Sequence, residues 1–278
     1  QEPIPVQAST TAAVEDLASV QDPLIPGAFQ SAMVMDVATR RILYAYQPDR
    51  LHPAASLTKL ANALVFVKRP INWNRIVVLK KEDEVGGGRL RLKPGSRLSV
   101  RDFFYASITS SANNAANALM RVSGLKRASF LKQMNVEARR AGAQRSVFVD
   151  ATGMSPKNVT TARDMAMIAR TAFRQPLIRQ AAGTATYRMT VRNTGEKKTI
   201  TNTNRLLTGD ESVWIVSGKT GYLHEAGNNL AVEIMPIDTT GRPVTKSKRL
   251  VVVLGSPTKA GMFASAKRLA AWTWTHHP

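Results

Sequence analysis

The stretch HPAASLTKLANALVFV, residues 52–67, constrains the fold more than any other part of the chain. From residue 60 to residue 67 every position except Asn62 is apolar, which predicts a helix buried inside the protein. Lys59 falls in the first turn of this helix, one helical step after Ser56. The first turn is the positive end of the helix dipole, where a cation is disfavoured. A lysine at this position therefore calls for an explanation other than stability.

Strand-like segments occur near both ends of the chain. Residues 31–46 predict a hairpin with a turn near Thr39, and residues 229–235 and 249–255 are apolar, strand-like runs. A closing helix follows over residues 260–274. This order predicts one sheet that is built from both ends of the chain.

The middle of the chain is mainly helical. Ser99 and Asp102 have the spacing of a capping box at a helix start, and Thr161 and Asp164 repeat that spacing. We expect an α/β fold in which a helical subdomain, about residues 57–180, is inserted into the sheet domain of residues 28–278. Residues 1–27 are proline-rich and predict a flexible lead-in.

The charge is strongly positive, with 39 Lys and Arg against 19 Asp and Glu, a net +20. Such a balance favours a polyanionic partner: nucleic acid, anionic lipid or an acidic wall polymer. The basic residues are scattered in pairs such as Arg40-Arg41, and they are not interleaved with aromatic residues as in a single-strand binder. We interpret most of them as solvated surface. A nucleic-acid-binding protein is a distant alternative that rests on charge alone, and no nucleic-acid partner is predicted.

Several classes of chemistry are excluded by what the chain lacks. It has no cysteine, which excludes disulfides and thiol catalysis, and it has no apolar run near the ~20 residues of a membrane span. Among its four histidines no metal motif occurs, so neither a metal nor a cofactor is expected. A Ser-His-Asp hydrolase needs a suitable histidine, and His224 is interpreted as a loop residue.

Ser56 and Lys59 have two interpretations. In the first, Ser56 is an ordinary helix N-cap and Lys59 is incidental. In the second, burial lowers the pKa of Lys59, so that a neutral amine can accept the proton of the neighbouring hydroxyl. This is the geometry of a nucleophile and its general base. A lone S-x-x-K pattern does not separate the two.

Two further segments offer polar groups. In ITSSANNAANALM, Ser111 and Asn113 lie in a tight connection between helices, where they either cap a helix or project into a site. In VSGKTGYLHEAGNNLAVEI, a phosphate loop is excluded because Val213 stands where that motif needs glycine. Lys219, Thr220 and Gly221 then form a strand edge, where Gly221 allows a backbone to approach closely.

Together, S-x-x-K, S-x-N and K-T-G resemble the motif set of the penicillin-recognising serine enzymes. The segments PAASLTKL, SSANNAA, DATGMSPKNVTTARDMAMIA and KTGYLHEAGNNL are similar to the low-molecular-mass penicillin-binding proteins, the D-alanyl-D-alanine carboxypeptidase (S11) family. The resemblance runs from about residue 28 to the last helix. It implies a β-lactamase/transpeptidase-like fold with an antiparallel sheet.

The resemblance also implies roles for the site residues. Ser56 would form the acyl-enzyme with Lys59 as its base, and Ser111 would aid proton transfer. The groups expected to bind substrate are Asn113, Lys219, Thr220, Gly221, Tyr222 and Arg205. The oxyanion hole would come from the backbone N–H groups of Ser56 and Tyr222. A class A β-lactamase is not expected, because no E-x-x-L-N segment lies between Asn113 and Lys219.

Within the family, the choice is between a carboxypeptidase that trims stem pentapeptides and an endopeptidase that cuts cross-links. KTGYLHEAGNNL and NTNRLL are most similar to the short, soluble D,D-endopeptidase branch, the penicillin-binding protein 7 type. One carboxypeptidase pattern has an arginine between the two asparagines, where this chain has Thr203, with Arg205 two residues on. The chain also ends after its last helix, without the further C-terminal β-rich domain and anchor of many carboxypeptidases. We therefore expect an endopeptidase, with the carboxypeptidase as the alternative.

The expected partners are peptidoglycan stem peptides and cross-links, with β-lactams as covalent inhibitors. The chain begins with Gln1 rather than Met, so it has been processed or trimmed. The resemblance implies a periplasmic protein that is secreted and whose signal peptide has been removed. The net +20 charge would hold it on the anionic wall. The sequence indicates neither an oligomeric state nor a protein partner.

Overall fold

The structure is a computed structural model, which describes residues 25–210 and 212–277. The centre of the fold is a five-stranded antiparallel sheet. The strands lie in the order β2-β1-β11-β10-β9, so both ends of the chain contribute to one sheet, as predicted. Three two-stranded ribbons pair β3 with β6, β4 with β5, and β7 with β8. The strands are β1 (Ser31–Asp36), β2 (Ile42–Tyr46), β3 (His52–Pro53), β4 (Ile76–Val78), β5 (Arg97–Ser99), β6 (Val159–Thr160), β7 (Thr186–Thr190), β8 (Lys197–Thr201), β9 (Val213–Leu223), β10 (Gly227–Pro236) and β11 (Arg249–Ser256).

Most helices lie between the first and the last strands of that sheet. Short 3-10 turns occur at Ala55–Leu57, Lys81–Asp83 and Thr245–Ser247. The α-helices are α1 (Thr58–Val67), α2 (Val100–Ile108), α3 (Asn113–Val122), α4 (Arg127–Arg140), α5 (Ala162–Phe173), α6 (Pro176–Gly183), α7 (Leu206–Gly209) and α8 (Lys259–His276). None of these helices has the length and apolar character needed to cross a membrane.

The sheet carries a hydrophobic core on each of its faces, because alternate residues of a strand point to opposite sides. On one face, Val251 and Val253 of β11 pack with Met262 and Leu269 of α8. On the other face, residues such as Val252 pack against the helices between α1 and α6. The predicted closing helix thus covers one face, while the helical region covers the other.

The capping predictions are confirmed in one case and partly wrong in the other. Ser99 and Asp102 form a reciprocal capping box at the start of α2. Thr161 caps α5 by accepting from the backbone N–H of Asp164. The Asp164 carboxylate is used elsewhere, because its Oδ2 atom accepts from the N–H of Arg145 at 2.7 Å. The spacing predicts the cap, but it does not predict which neighbour takes the carboxylate.

The expected division of the chain stays a prediction. Residues 1–24 of the expected lead-in lie outside the described residues. Helices α1 to α6 lie between Thr58 and Gly183, in the part of the chain where the helical subdomain is expected.

Candidate active site

Ser56 lies in the 3-10 turn Ala55–Leu57, directly before α1. The residue before it, Ala55, has a φ of 47°, a left-handed conformation that is unfavourable for a residue with a side chain. The N-cap of α1 is Leu57, so the interpretation of Ser56 as an N-cap is wrong. The turn instead presents the Ser56 hydroxyl to Lys59, whose Nζ atom lies 2.7 Å from Oγ.

Two glycines lie directly against this turn. A Cβ atom on Gly153 would lie 1.9 Å from the carbonyl oxygen of Ala55, a distance that no real side chain tolerates. A Cβ atom on Gly221 would lie 3.0 Å from the backbone nitrogen of Ser56. The backbones on either side therefore approach the serine turn as closely as a residue without a side chain allows.

Lys59 is fully buried, with 0% of its surface exposed. Its Nζ atom lies 2.7 Å from Ser56 Oγ, 2.6 Å from Asn113 Oδ1 and 2.7 Å from the carbonyl oxygen of Thr152. Asn113 and Thr152 offer only acceptors at these atoms, whereas a serine hydroxyl can also donate. A neutral lysine has two N–H donors and one lone pair. With both donors used by the two carbonyl oxygens, the lone pair faces the serine hydroxyl.

Burial lowers the pKa of Lys59 from its ordinary value of 10.5 to about 7, and the carboxylate of Asp150 partly opposes this effect. A substantial fraction of the lysine is therefore neutral near pH 7. The amine can accept a proton there, which an ordinary surface lysine cannot do at that pH.

Ser111 and Asn113 form the corner between α2 and α3. Ser111 has a φ of 62°, and its Oγ atom accepts from the Nζ atom of Lys219 at 2.8 Å. Asn113 is the first residue of α3, and the N-cap position belongs to Ala112. The capping interpretation is therefore wrong for both residues. The Nδ2 atom of Asn113 donates to the carbonyl oxygen of Gly86, which turns its Oδ1 atom toward Lys59.

The strand β9, one of the two edge strands of the central sheet, carries Lys219, Thr220, Gly221 and Tyr222. Lys219 is 1% exposed. Burial lowers the pKa of Lys219 well below the usual range, and repulsion by the charge of Lys59 adds to this effect. Its neighbour Thr220 has a hydroxyl 2.7 Å from the hydroxyl of Thr203. The Tyr222 side chain is 64% exposed.

Arg205 takes a separate position. It is exposed and precedes the short helix α7. Burial lowers the pKa of Lys259 at the start of α8, and the positive charge of Arg205 lowers it further. Its predicted contact with substrate stays a prediction. His224 lies in the turn between β9 and β10, as expected for a loop residue.

Asp150 is a site residue that the motifs did not predict. Its carboxylate accepts from the backbone N–H groups of Thr152, Gly153 and Ser155 at 2.7, 2.7 and 2.8 Å. This turn places the Thr152 carbonyl oxygen on Lys59. A signal was available in the sequence, because Asp150-Ala-Thr-Gly has the Asp and Gly of an Asx turn.

Asn229 of β10 is a second residue that the motifs did not predict. Its Nδ2 atom donates to the carbonyl oxygen of Pro53 at 2.9 Å, and its Oδ1 atom accepts from the N–H of Gly255. The side chain thereby ties the segment before Ser56 to the sheet. No pattern in the sequence distinguishes it from its neighbour Asn228.

Nothing among the described residues forms a cluster that could hold a metal ion. The contacts of the two buried lysines bring together the hydroxyls of Ser56 and Ser111 and the amide of Asn113.

The comparisons with known proteins decide the family. The family model of Peptidase S11, D-alanyl-D-alanine carboxypeptidase, matches residues 18–254. The chain belongs to this family. As a member of family S11 the protein is an enzyme, a peptidase.

Two of its relatives are named D-alanyl-D-alanine endopeptidase. The protein from Escherichia coli is 32% identical over 273 residues, which cover 96% of this chain and 81% of the relative. The protein from Pseudomonas aeruginosa is 32% identical over 248 residues, covering 88% of this chain and 77% of the relative. The similarity to the short endopeptidase branch is confirmed at the level of sequence.

Solved structures share the fold. A D-alanyl-D-alanine carboxypeptidase from Mycobacterium tuberculosis has a TM-score of 0.79 at 23% identity, covering 94% of this chain and 96% of its own. The expected transpeptidase-like fold is thereby confirmed.

Proposed function

We propose that this S11 peptidase is a serine D,D-peptidase that hydrolyses D-alanyl bonds of peptidoglycan through an acyl-enzyme on Ser56. The observation that carries the proposal is the environment of Lys59. Its amine lies 2.7 Å from the Ser56 hydroxyl, is fully buried and has a pKa of about 7.

The first step is attack of Ser56 on the carbonyl carbon of the penultimate D-alanine. Neutral Lys59 takes the hydroxyl proton as the new C–O bond forms. The negative charge that develops on the carbonyl oxygen would be held by the backbone N–H groups of Ser56 and Tyr222. Gly221 supports this role, since its lack of a side chain lets β9 run against the nitrogen of Ser56.

The second step is departure of the amine as the C–N bond breaks. Ser111 is suited to hand a proton to that nitrogen, because its Oγ atom already accepts from Lys219 and its own hydrogen is free to be donated. The proton that Lys59 took from Ser56 then restores the Ser111 hydroxyl, which leaves Lys59 neutral again. Water attacks the ester carbon, Lys59 takes a proton from the water, and that proton returns to Ser56 Oγ as the ester C–O bond breaks. The acid product leaves and Ser56 is restored.

Substrate binding is assigned to Asn113 and the edge strand β9. The extended peptide would lie against the strand edge at Lys219, Thr220 and Gly221, as peptides dock on exposed sheet edges elsewhere. The assignment of Arg205 to this group rests on the resemblance, and its charge also acts on Lys259 at the start of α8.

We infer further that the bond cut is the one in a cross-link between two stems. Two relatives that match most of the chain are named D-alanyl-D-alanine endopeptidase. At the position of the carboxypeptidase arginine stands Thr203, whose hydroxyl contacts Thr220 and carries no charge to clamp a terminal carboxylate. Hydrolysis of stem pentapeptides is the second candidate.

The proposed location is the periplasm, on the cell wall. The net +20 charge favours retention on an anionic polymer. Binding to purified wall should then be lost at about 0.5 M salt, where the screening length is roughly 4 Å. Unchanged retention at that salt concentration would contradict a charge-based attachment.

The acyl-enzyme is tested with a fluorescent penicillin, because β-lactams acylate the same nucleophile. Mass spectrometry of the labelled, digested protein should place the adduct on the peptide containing Ser56. The variant Ser56→Ala should remain unlabelled, whereas Ser110→Ala, a hydroxyl beside the corner, serves as the matched control. Labelling of Ser56→Ala at the wild-type rate would overturn the assignment of the nucleophile.

A further inference from the structure

Beside the corner of Ser111 and Asn113 lies an open pocket of about 500 Å³, lined by residues 86–88, Arg89, Arg91 and Ser110. A second pocket of about 520 Å³ continues from the same two arginines and is also lined by Glu84 and Lys93. Ser110 directly precedes Ser111, so the first pocket adjoins the cleft. The proposed chemistry at Ser56 uses neither pocket.

The loop that carries the arginines is fixed to the start of α3. The N–H of Asn113 donates to the carbonyl oxygen of Gly88 at 2.7 Å, and the N–H of Leu90 donates to Asn114 Oδ1 at 3.0 Å. A side chain at Gly87 would lie 2.8 Å from Asn113 Nδ2, so the loop packs directly on a site residue. The loop is therefore part of the cleft wall.

Basic and apolar residues alternate along this loop in the sequence GRLRLK. Leu90 and Leu92 are 2% and 8% exposed, whereas Arg89, Arg91 and Lys93 are exposed. The leucines anchor the loop, and the cations face the pockets. Burial of the leucines thus leaves the alternate basic residues exposed, where they line the pockets.

The charge of the pockets is positive. Glu84 is the acidic member of the lining, and its Oε1 atom accepts from Asn114 Nδ2 at 2.8 Å. The carboxylate of Glu84 is thereby directed to the start of α3. A guanidinium group offers a planar pair of donors that matches a carboxylate.

We propose that the pockets at Arg89 and Arg91 form one binding subsite, in which the two arginines bind the free carboxylates of the second stem peptide of a cross-link. The subsite rests on the proposed function, since a cross-linked dimer places a second acidic peptide next to the D-alanyl bond that is cut. It makes the two arginines specificity determinants that favour a dimer over a single stem.

The test measures binding of a purified cross-linked dimer to Ser56→Ala protein by calorimetry, so that hydrolysis does not interfere. Adding Arg89→Gln and Arg91→Gln should weaken binding about tenfold, as expected for the loss of charge-assisted pairs. The matched control adds Arg242→Gln and Lys246→Gln, which remove two exposed cations at the opposite end of β10 and should leave binding unchanged. A dimer whose carboxylates are amidated should bind the two sets of variants equally.

Three results would overturn the subsite. The acidic dimer could bind the arginine variants and the control variants equally, or the arginine substitutions could weaken binding of the acidic and the amidated dimer by the same factor. The third is that the Ser56→Ala protein with both arginines intact binds no dimer. Failure of the proposed function gives a different result, because it is measured as cleavage of the dimer by the wild-type enzyme. A dimer that binds through the arginines and is not cut would support the subsite and contradict the endopeptidase.

Discussion

The Nζ atom of Lys59 lies 2.6 Å from the Oδ1 atom of Asn113, and this contact joins the starts of α1 and α3. Asn113 is held by Gly86, so its amide oxygen has a fixed direction. The contact therefore fixes where the lysine donates and leaves its remaining lone pair for Ser56.

The rate of acylation of Ser56 should depend on the protonation of Lys59. Because the pKa of Lys59 is about 7, the neutral base accumulates as the pH rises through that value. We expect the second-order rate constant for acylation by a penicillin to rise between pH 5.5 and 8.5 and to be half-maximal near pH 7. A rate that stays constant over this range would rule out Lys59 as the base.

Replacing the amide of Asn113 by a carboxylate should move that profile. In Asn113→Asp a negative charge would lie about 2.6 Å from the lysine nitrogen and favour its protonated form, so the pKa rises. We expect the midpoint of the acylation profile to shift to higher pH and the rate at pH 7 to fall. The exposed Asn193→Asp is the matched control and should retain the wild-type midpoint. An unshifted midpoint in Asn113→Asp would contradict the contact.

Gly153→Ala should displace the serine turn. The new Cβ atom would lie 1.9 Å from the carbonyl oxygen of Ala55, so either Ala55 or the Asp150 turn has to move. A displacement of about 1 Å at a nucleophile lowers the acylation rate on the order of 100-fold. Penicillin labelling measures that loss.

A matched control separates this effect from backbone strain. Gly195 also has a positive φ, 73°, but a Cβ atom added there would meet no other atom within 4 Å. Gly195→Ala should destabilise the chain by about 1–2 kcal/mol and leave acylation unchanged. Equal acylation rates in the two variants would contradict the close approach of Gly153 to the turn.

The burial of Lys59 should also appear in the pH dependence of stability. Its pKa is about 7 in the folded chain and 10.5 as an ordinary lysine, so the unfolded state binds more protons between these pH values. The free energy of unfolding should therefore rise with pH in this window, by up to about 1.4 kcal/mol per pH unit from this group.

Denaturant unfolding of Lys59→Met at several pH values tests the contribution of the lysine. The variant should lose the part of the slope that Lys59 contributes and keep the part that comes from the lowered pKa of Lys219, whereas the exposed Lys197→Met should keep the whole slope. The same slope in wild type and Lys59→Met would mean that the lysine has an ordinary pKa in the folded chain.

Much of the fold could be predicted from the sequence because its signals are local. The hairpin of residues 31–46 and the closing helix follow from periodicity, and the cap at Ser99 follows from one spacing. The partner of Asp164 could not be predicted, since Arg145 reaches it only after the chain has folded.

The candidate site shows the same division. The motif residues Ser56, Lys59 and Lys219 could be found from their order along the chain, and the structure brings them together through Asn113 and Ser111. The residues that position them were not found. Asn229 acts through contacts with Pro53 and Gly255 that are distant in sequence, so no spacing along the chain marks it.

We expect the enzyme to use Ser56 to cut cross-links, and mass spectrometry of two purified muropeptides distinguishes this reaction from the trimming of stem peptides. One substrate is a pentapeptide monomer ending in D-Ala-D-Ala, and the other is a D-Ala-to-diamino-acid cross-linked dimer without that terminus. The wild-type enzyme should split the dimer into monomers, and Ser56→Ala should leave both substrates intact. Loss of one alanine from the monomer while the dimer stays intact would exclude the endopeptidase and make the enzyme a carboxypeptidase.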